Sequence, residues 1–591
     1  MALTTWKLMR WKIRRYCIAA FAVAFSAFAT ISCGGQTRHD QASVPPDTAR
    51  VWFVDVADSA GANWRCSYGT DETEFILETT GPGPAWLDFD NDGWMDLFLA
   101  NGSHFNPDTV SKYRPHAVLY RNNRDGTFAD VTEKAGVGFA GWAGGALCAD
   151  FDNDGWTDIF VTNSFGCDVL YHNNGNGTFT DVTRNAGVAD EYYGTSACAL
   201  DYDRDGDLDI FVTNYVPYDT SAAVAQRPGT SRYTIVRGVP MSMAPEGYPG
   251  EPDLLYRNNG DGTFTEVSKT AGLNRTLGRG LGCVALDFNH DGWLDVYVAN
   301  DAMQNFLYRN NGDGTFTDVA EETGTAYGEG GIPAGSMGVN SADLNGDGWG
   351  DILVANYEDQ TPSVYFNMDG RFFIDRAVPC GIGGPSLIPL QWGLVTSDLN
   401  NDGYVDAYFA GGHVSSRLES RYPNSRFAQR NKLFLNRGDG NFDDVTDWSG
   451  PGLELVRASR GASAADYDND GDMDIAVVEK SARFSLLRND TPHMGNWVRV
   501  VLRGERSPRD GTGTRVRVLS GGRWKTAEKH SGSSYASTED PRLLFGLAVA
   551  AAVDSIEVEW PSGARDLAVG IPANTTVTFR EGCGYDVSAN R

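Results

Sequence analysis

The sequence predicts an all-β protein: a seven-bladed β-propeller with calcium loops, followed by a small C-terminal β domain. Three observations predict it. A nine-residue acidic pattern occurs seven times, an Asn/Gly hairpin pattern interleaves with it, and the two ends of the repeated region each supply the strand that the other lacks. Composition agrees, with 69 Gly in 591 residues, 12% aromatics and 78 acidic residues against 49 Lys and Arg, because disordered acidic chains are poor in aromatics. The net charge of -29 disfavours a nucleic-acid partner or an anionic membrane surface by repulsion, and calls for cations instead.

The chain opens with an address. Lys7, Arg10, Lys12, Arg14 and Arg15 precede an apolar run from Ile18 to Ile31 that is too short to span a bilayer comfortably. The run ends at Thr30-Ile31-Ser32-Cys33-Gly34, which resembles a bacterial lipoprotein cleavage box with Cys33 as the acylated mature N-terminus. Residues 1–32 are thus expected to be a lipoprotein signal peptide and residues 33–50 a polar, Pro-containing tether. The implied location is the bacterial cell envelope, with membrane contact through the lipid anchor alone. Leaving out Cys17 and Cys33, seven Cys remain without a CxxC spacing, and Cys148, Cys198 and Cys283 read as small buried strand residues just ahead of acidic loops.

The repeated region is assigned to residues 51–490. Its acidic pattern, acid-x-Asp/Asn-x-Asp-Gly-x-x-Asp, begins at Asp88, Asp150, Asp201, Asp287, Asp343, Asp398 and Asp466. Oxygen ligands at positions 1, 3, 5 and 9, with Gly at position 6 for a sharp turn, suit a hard cation of the size of Ca²⁺. The expected ligands are Asp88, Asp90, Asp92 and Asp96 in the first loop, then Asp150, Asp152, Asp154 and Asp158, and Asp201, Asp203, Asp205 and Asp209. The later loops offer Asp287, Asn289, Asp291 and Asp295; Asp343, Asn345, Asp347 and Asp351; Asp398, Asn400, Asp402 and Asp406; and Asp466, Asp468, Asp470 and Asp474. Up to seven Ca²⁺ follow. An EF-hand is excluded, because its bidentate Glu at position 12 is replaced by Leu99, Val161, Val212, Val298, Val354, Phe409 and Val477.

β-rich runs follow the loops and small-residue runs precede them, so each loop joins two strands. The second pattern, as in LYRNNGDGTFTDVA (307–320), gives a third strand, an Asn/Gly turn and a fourth strand. Such four-stranded units repeated about an axis make a propeller. The last unit stops at Asp490 without a fourth strand, and an orphan strand at Phe53–Val56 is available to complete it and cover its edge.

Residues 51–490, read through these loops and hairpins, resemble the FG-GAP or VCBS repeats of integrin-type propellers. Residues 491–582 resemble the small ASPIC/UnbV domain, at Gly511 to Val516, Gly532 to Ser537, Leu543 to Leu547 and Trp560 to Gly563, with residues 583–591 set apart as a tail. Together they look like the cartilage acidic protein family in its bacterial form. Leu544 stands where that family commonly has His, so a role tied to that His does not transfer. The resemblance implies a calcium-binding exported protein and no particular reaction. Within this domain GSSYASTEDP (532–541) is expected to be a turn held by its own hydroxyls and acids.

No HExxH, GxSxG, Walker loop, GxGxxG or CxxC is present, and His172 and His290 read as solvated loop residues. The second-to-third-strand connectors of the first, third and sixth blades are long and carry Arg and Tyr. Arg114, Arg227, Arg232, Tyr233, Arg237, Arg417, Arg421 and Arg426 are the ligand-face candidates, suited to carboxylate, phosphate or sugar, on the face away from the metal loops. The expected function is a binding or adhesion module for a glycan or an envelope or extracellular protein. The alternative is a lyase or hydrolase acting on an anionic polysaccharide.

Overall fold

The computed structural model describes residues 51–105, 115–217, 233–242, 244–273, 275–492 and 494–589. The lipidation and signal expectations around Cys33, and the candidates Arg114, Arg227 and Arg232, lie outside these residues.

Among the described residues, strands of the repeated region pair antiparallel into five four-stranded sheets and one eight-stranded sheet made of two joined four-stranded units, and each four-stranded unit is numbered as a sheet in chain order. The first consists of Pro84–Leu87, Asp96–Leu99, Val118–Asn122 and Phe128–Asp130 in chain order. The second, built in the same way, consists of Ala143–Ala149, Asp158–Asn163, Val169–Asn173 and Phe179–Asp181. The seventh takes Ser459–Ala465, Asp474–Glu479 and Ser485–Asn489, and its fourth strand is Phe53–Asp55 from the other end of the region, with Phe53 opposite Asn489. The sheets form a closed ring, because the inner strand of each packs on that of the next and Ser459–Ala465 packs on Pro84–Leu87. A repeated side-chain bond reinforces this order. The Asn that ends each third strand donates to a carbonyl in the preceding sheet's acidic loop, as Asn173 does to Phe89 at 2.9 Å, and Asn122 closes the circle by donating to Tyr467 at 2.8 Å.

The sequence explains the inner strands. Crowding at the axis leaves little room for side chains: a Cβ on Gly461 would lie 2.2 Å from the Cα of Gly83. Second and third strands carry the aromatic and branched residues that fill the space between neighbouring sheets, as Phe98, Leu119, Ile159 and Tyr171 do between the first and second. Cys148, Cys198 and Cys283 are buried free thiols on inner strands.

Three details extend the sequence reading. Asp295–Met303 runs on beyond the fourth sheet to pair with Ala334–Ala342 of the fifth. The long third connector contains a hairpin, Tyr233–Val236 with Val239–Ser242. Beyond Asn496, eight strands form two four-stranded sheets over a shared apolar core that includes Val500, Val518, Ile556 and Phe579. In one of them Asn496–Arg503 lies parallel to Thr575–Arg580, and Gly584–Ala589 pairs with the latter. The segment set apart as a tail from residue 583 is therefore largely an edge strand, held by the ladder of Thr575–Arg580.

Candidate functional site

The acidic loops share one hydrogen-bonding plan. In the first loop Asp88 at position 1 accepts from the backbone N–H groups of Asp92 and Gly93, both at 2.9 Å, and Asp92 accepts from Trp94 at 2.9 Å. Position 4 and the Gly at position 6 adopt left-handed backbone, with φ of 53° at Asn91 and 86° at Gly93, which folds the chain around its own carboxylates. Asp96 at position 9 accepts from Phe89 at 3.2 Å and from Asn122 at 2.7 Å, which ties the loop to the hairpin motif. The same position-9 bond to the hairpin Asn recurs in the other six sheets, for example Asp158 with Asn173 and Asp474 with Asn489. The two sequence motifs are thus two halves of one structural unit.

The donor set fits a hard divalent cation. Carboxylate oxygens of Asp88, Asp90 and Asp96 lie within 4.8 Å of one another, as do those of Asp201, Asp203 and Asp209, of Asp466, Asp468 and Asp474, and of Asp150, Asp152 and Asp154. Asp90, Asp203 and Asp468, all at position 3, each carry a buried Oδ1 without a hydrogen-bond partner. Such an oxygen is costly unless something positive meets it. Burial first, and neighbouring acids next, push the Asp201 carboxyl up to about 7, and burial with the nearby Asp510 pushes Asp150 up to about 8. Loops four to six have Asn at position 3, and there Asn289, Asn345 and Asn400 donate to the Asp at position 5 at 2.9, 3.0 and 3.0 Å. A cation in any of these loops would be held by positions 1, 3, 5 and 9 and would supply the positive charge that the buried carboxylates lack.

Some loops already have positive neighbours. Arg121 Nε lies 2.6 Å from Asp90, and Arg124 lies 2.8 Å from Asp92. His172 is not a solvated turn residue. It sits on the third strand with Nδ1 3.2 Å from Asp152 and 3.4 Å from Asp158. His290 is also engaged, stacked on Trp349 with ring centroids 3.9 Å apart and contacting Arg515 at 2.9 Å.

The C-terminal domain covers the acidic loops. Arg499 pairs with Asp466, both buried, and Arg542 donates to the carbonyls of Asp466 at 2.7 Å and Gly93 at 3.2 Å. Arg509 N–H donates to Asn153 at 2.9 Å, Asp287 N–H to Glu528 at 3.2 Å and Ala548 N–H to Asn401 at 2.8 Å. Cavities of about 180 and 510 Å³ lie along this junction.

Gly532 to Pro541 is more than a local turn, since it enters the centre of the ring. Thr538 bonds to the first and second sheets, accepting from Trp86 N–H at 3.1 Å and donating its hydroxyl to Ala146 at 2.9 Å. Ala536 N–H donates to Ser196 of the third at 2.9 Å. Ser534 bonds to Val339 of the fifth in both directions at 2.9 and 2.7 Å, and its hydroxyl accepts from Leu394 N–H of the sixth at 2.9 Å while donating to Ala462 of the seventh at 2.8 Å. Tyr535, 1% exposed, packs edge-on against Trp392 with centroids 5.0 Å apart. Sequence reasoning missed this plug. Its signal was a polar Ser/Thr run between two strands, which fits a surface turn equally well when the inner wall that satisfies it is distant in sequence.

On the opposite face the third and sixth connectors meet. Val239 and Met241 pack with Leu418, Tyr422 Oη donates to Arg237 O at 2.7 Å, and Arg421 donates to Gly238 O at 3.0 Å. The structure therefore brings Arg237, Arg417 and Arg421 together, with different roles. Arg237 pairs with Asp359 and with Glu358 at 3.3 Å, and Arg417 lies 3.4 Å from Glu72. Arg421 and Arg426 are exposed, and Tyr233 lies in the connector hairpin.

The model for the FG-GAP-like repeat matches residues 88–161, 150–212, 247–298, 287–354, 343–409 and 398–477, and the model for ASPIC and UnbV matches residues 504–584. Cartilage acidic protein 1 of Xenopus tropicalis is 24% identical over 515 residues, covering 81% of this chain and 70% of that protein. The Homo sapiens protein of the same name is 27% identical over 525 residues, covering 83% and 70%. Among solved structures, an Agrocybe aegerita lectin that recognises non-reducing terminal N-acetylglucosamine aligns with TM-score 0.38 and 18% identity over 69% of this chain and 94% of its own. The BP39L lectin of Burkholderia pseudomallei aligns with TM-score 0.39 and 11% identity over 70% and 99%. With its repeats matched over the greater part of its length, the chain belongs to the FG-GAP-like repeat family and ends in an ASPIC and UnbV domain, as a homologue of cartilage acidic protein 1.

Proposed function

We propose that this protein is an exported, calcium-loaded binding module, anchored to the bacterial envelope through Cys33, that presents the connector face of its propeller to a glycan or a protein partner. One observation carries the choice of face. The C-terminal domain lies over the acidic loops and its Gly532–Pro541 segment fills the ring centre, while the third and sixth connectors meet on the other side. Calcium then acts by holding the scaffold rather than by touching the ligand. Arg421 and Arg426 supply exposed positive charge on a rigid base, and Arg237 and Arg417 hold the connectors in place through their acids.

The test is a glycan array, followed by salt-dependent titration of any hit, with parent protein and the variant Arg421→Ala/Arg426→Ala. Weaker binding with a shallower salt dependence, at unchanged melting and calcium content, is expected. If that variant binds as the parent does, while Asp154→Asn/Asp158→Asn loses binding without losing stability, the ligand face is the metal-loop side.

A further inference from the structure

His172 occupies a position that recurs in all seven sheets, one residue before the hairpin Asn. Arg121, Arg257, Arg309 and Arg488 stand there in four of them, and Phe366 and Leu435 in two. Arg121 shows where such a side chain reaches, since its Nε meets Asp90, the position-3 acid of its own loop, at 2.6 Å. His172 reaches the same point in the second loop, with Nδ1 3.2 Å from Asp152 Oδ2 and 3.4 Å from Asp158 Oδ1. A guanidinium can only pair with these acids, whereas a neutral imidazole brings a lone pair to them.

The two nitrogen–oxygen distances are those of ligands around one ion, and all three donor atoms lie within 4.8 Å of one another. Two donor atoms that each sit about 2.0–2.1 Å from a tetrahedral centre are roughly 3.3 Å apart. Calcium selects oxygen, while imidazole with carboxylates suits first-row divalent ions such as zinc. Asp158 is 4% exposed at its side chain and Asp152 and His172 are 31% exposed each, so the group has a buried floor and an open side through which an ion can enter. Asp150 and Asp154 stand beside Asp152 as further oxygen donors.

We propose that the second loop is a mixed nitrogen and oxygen site, formed by His172, Asp152 and Asp158, that takes one first-row divalent ion of the zinc class where its sister loops take calcium. The proposal rests on the reading that the loops hold cations, and the test separates the two. The full chain is equilibrated with equimolar calcium and zinc chloride, desalted, and its metals are counted by elemental mass spectrometry. His172→Arg, which installs the sister residue, and His172→Gln, which removes the imidazole nitrogen, are treated alike, and thermal melts report on folding. The parent is expected to retain one zinc together with several calcium ions. Both variants should lose the zinc, with affinity falling by at least the roughly 10-fold that loss of even an outer-sphere partner costs, while the calcium of the sister loops is retained. Cobalt substituted for zinc should give visible absorption bands in the parent that change in both variants. Retention of calcium without zinc by the parent, or of zinc by folded His172→Arg, overturns the proposal and leaves His172 as an ion-pair partner only. Retention of neither metal overturns the cation reading of the loops as well.

Discussion

At the scale of single residues, the buried polar groups decide what a substitution costs. Ser534 is a clear case, because one hydroxyl accepts from Leu394 N–H of the sixth sheet and donates to Ala462 O of the seventh. Ser534→Ala leaves a buried N–H without its partner, for which about 1–3 kcal/mol is expected in denaturant unfolding. Lys480 makes a pH prediction. It is 2% exposed and donates to Thr70 O at 3.0 Å, and burial, with Arg460 adding to it, pushes its ammonium down to about 7. Between that value and the ordinary value of 10.5 the unfolded chain binds the proton that the folded chain has released. Stability from this group therefore rises with pH across that window, and the penalty is fully present below it. Lys480→Met should flatten the slope of unfolding free energy against pH in this range relative to the parent. Parallel slopes for the two proteins would mean that Lys480 keeps its ordinary proton affinity.

At the scale of elements, the seven loops and hairpins were legible because their chemistry is local: Gly and Asp at fixed offsets dictate the turn, and alternating apolar residues dictate the strands beside it. The pairing of Phe53–Asp55 with Ser485–Asn489 was legible for a different reason, the match between an orphan strand and a missing one. The plug and the cover over the loops were not, because their partners lie in the other domain, up to 449 residues away, and no periodicity marks them. His172 was misread because it stands one residue before a hairpin Asn, while its contacts, Asp152 and Asp158, come from the preceding acidic loop. The N-terminal strand also sets a test of closure. Deleting residues 51–57 removes Phe53, fully buried between the sixth and seventh sheets, and bares the edge of Ser485–Asn489. Aggregation or loss of cooperative unfolding is expected, measured by light scattering and calorimetry. A soluble monomer that melts as the parent does would show that the ring closes without this strand.

For the whole molecule, the C-terminal domain is a structural part of the propeller rather than a passenger beside it. Its Gly532–Pro541 segment bonds to inner strands around the ring, and its Arg499 and Arg542 reach the seventh and first loops. Metal binding, ring closure and domain docking should therefore report on one transition. A loop whose ion is present at about 100 times its dissociation constant contributes about 2.7 kcal/mol to the folded state, and several loops act together. Chelation should accordingly lower a single calorimetric transition that includes both parts of the chain. Replacing residues 532–538 by a Gly linker of equal length keeps both parts covalently joined and removes the hydroxyl bonds of Ser534 and Thr538 along with the Tyr535 ring. In that variant the propeller transition should fall and separate from that of the C-terminal domain, and the chelator should then shift only the propeller. If the linker variant melts in one transition at the parent temperature, the plug fills the channel without coupling the two parts, and the coupling must run through the arginines over the loops instead.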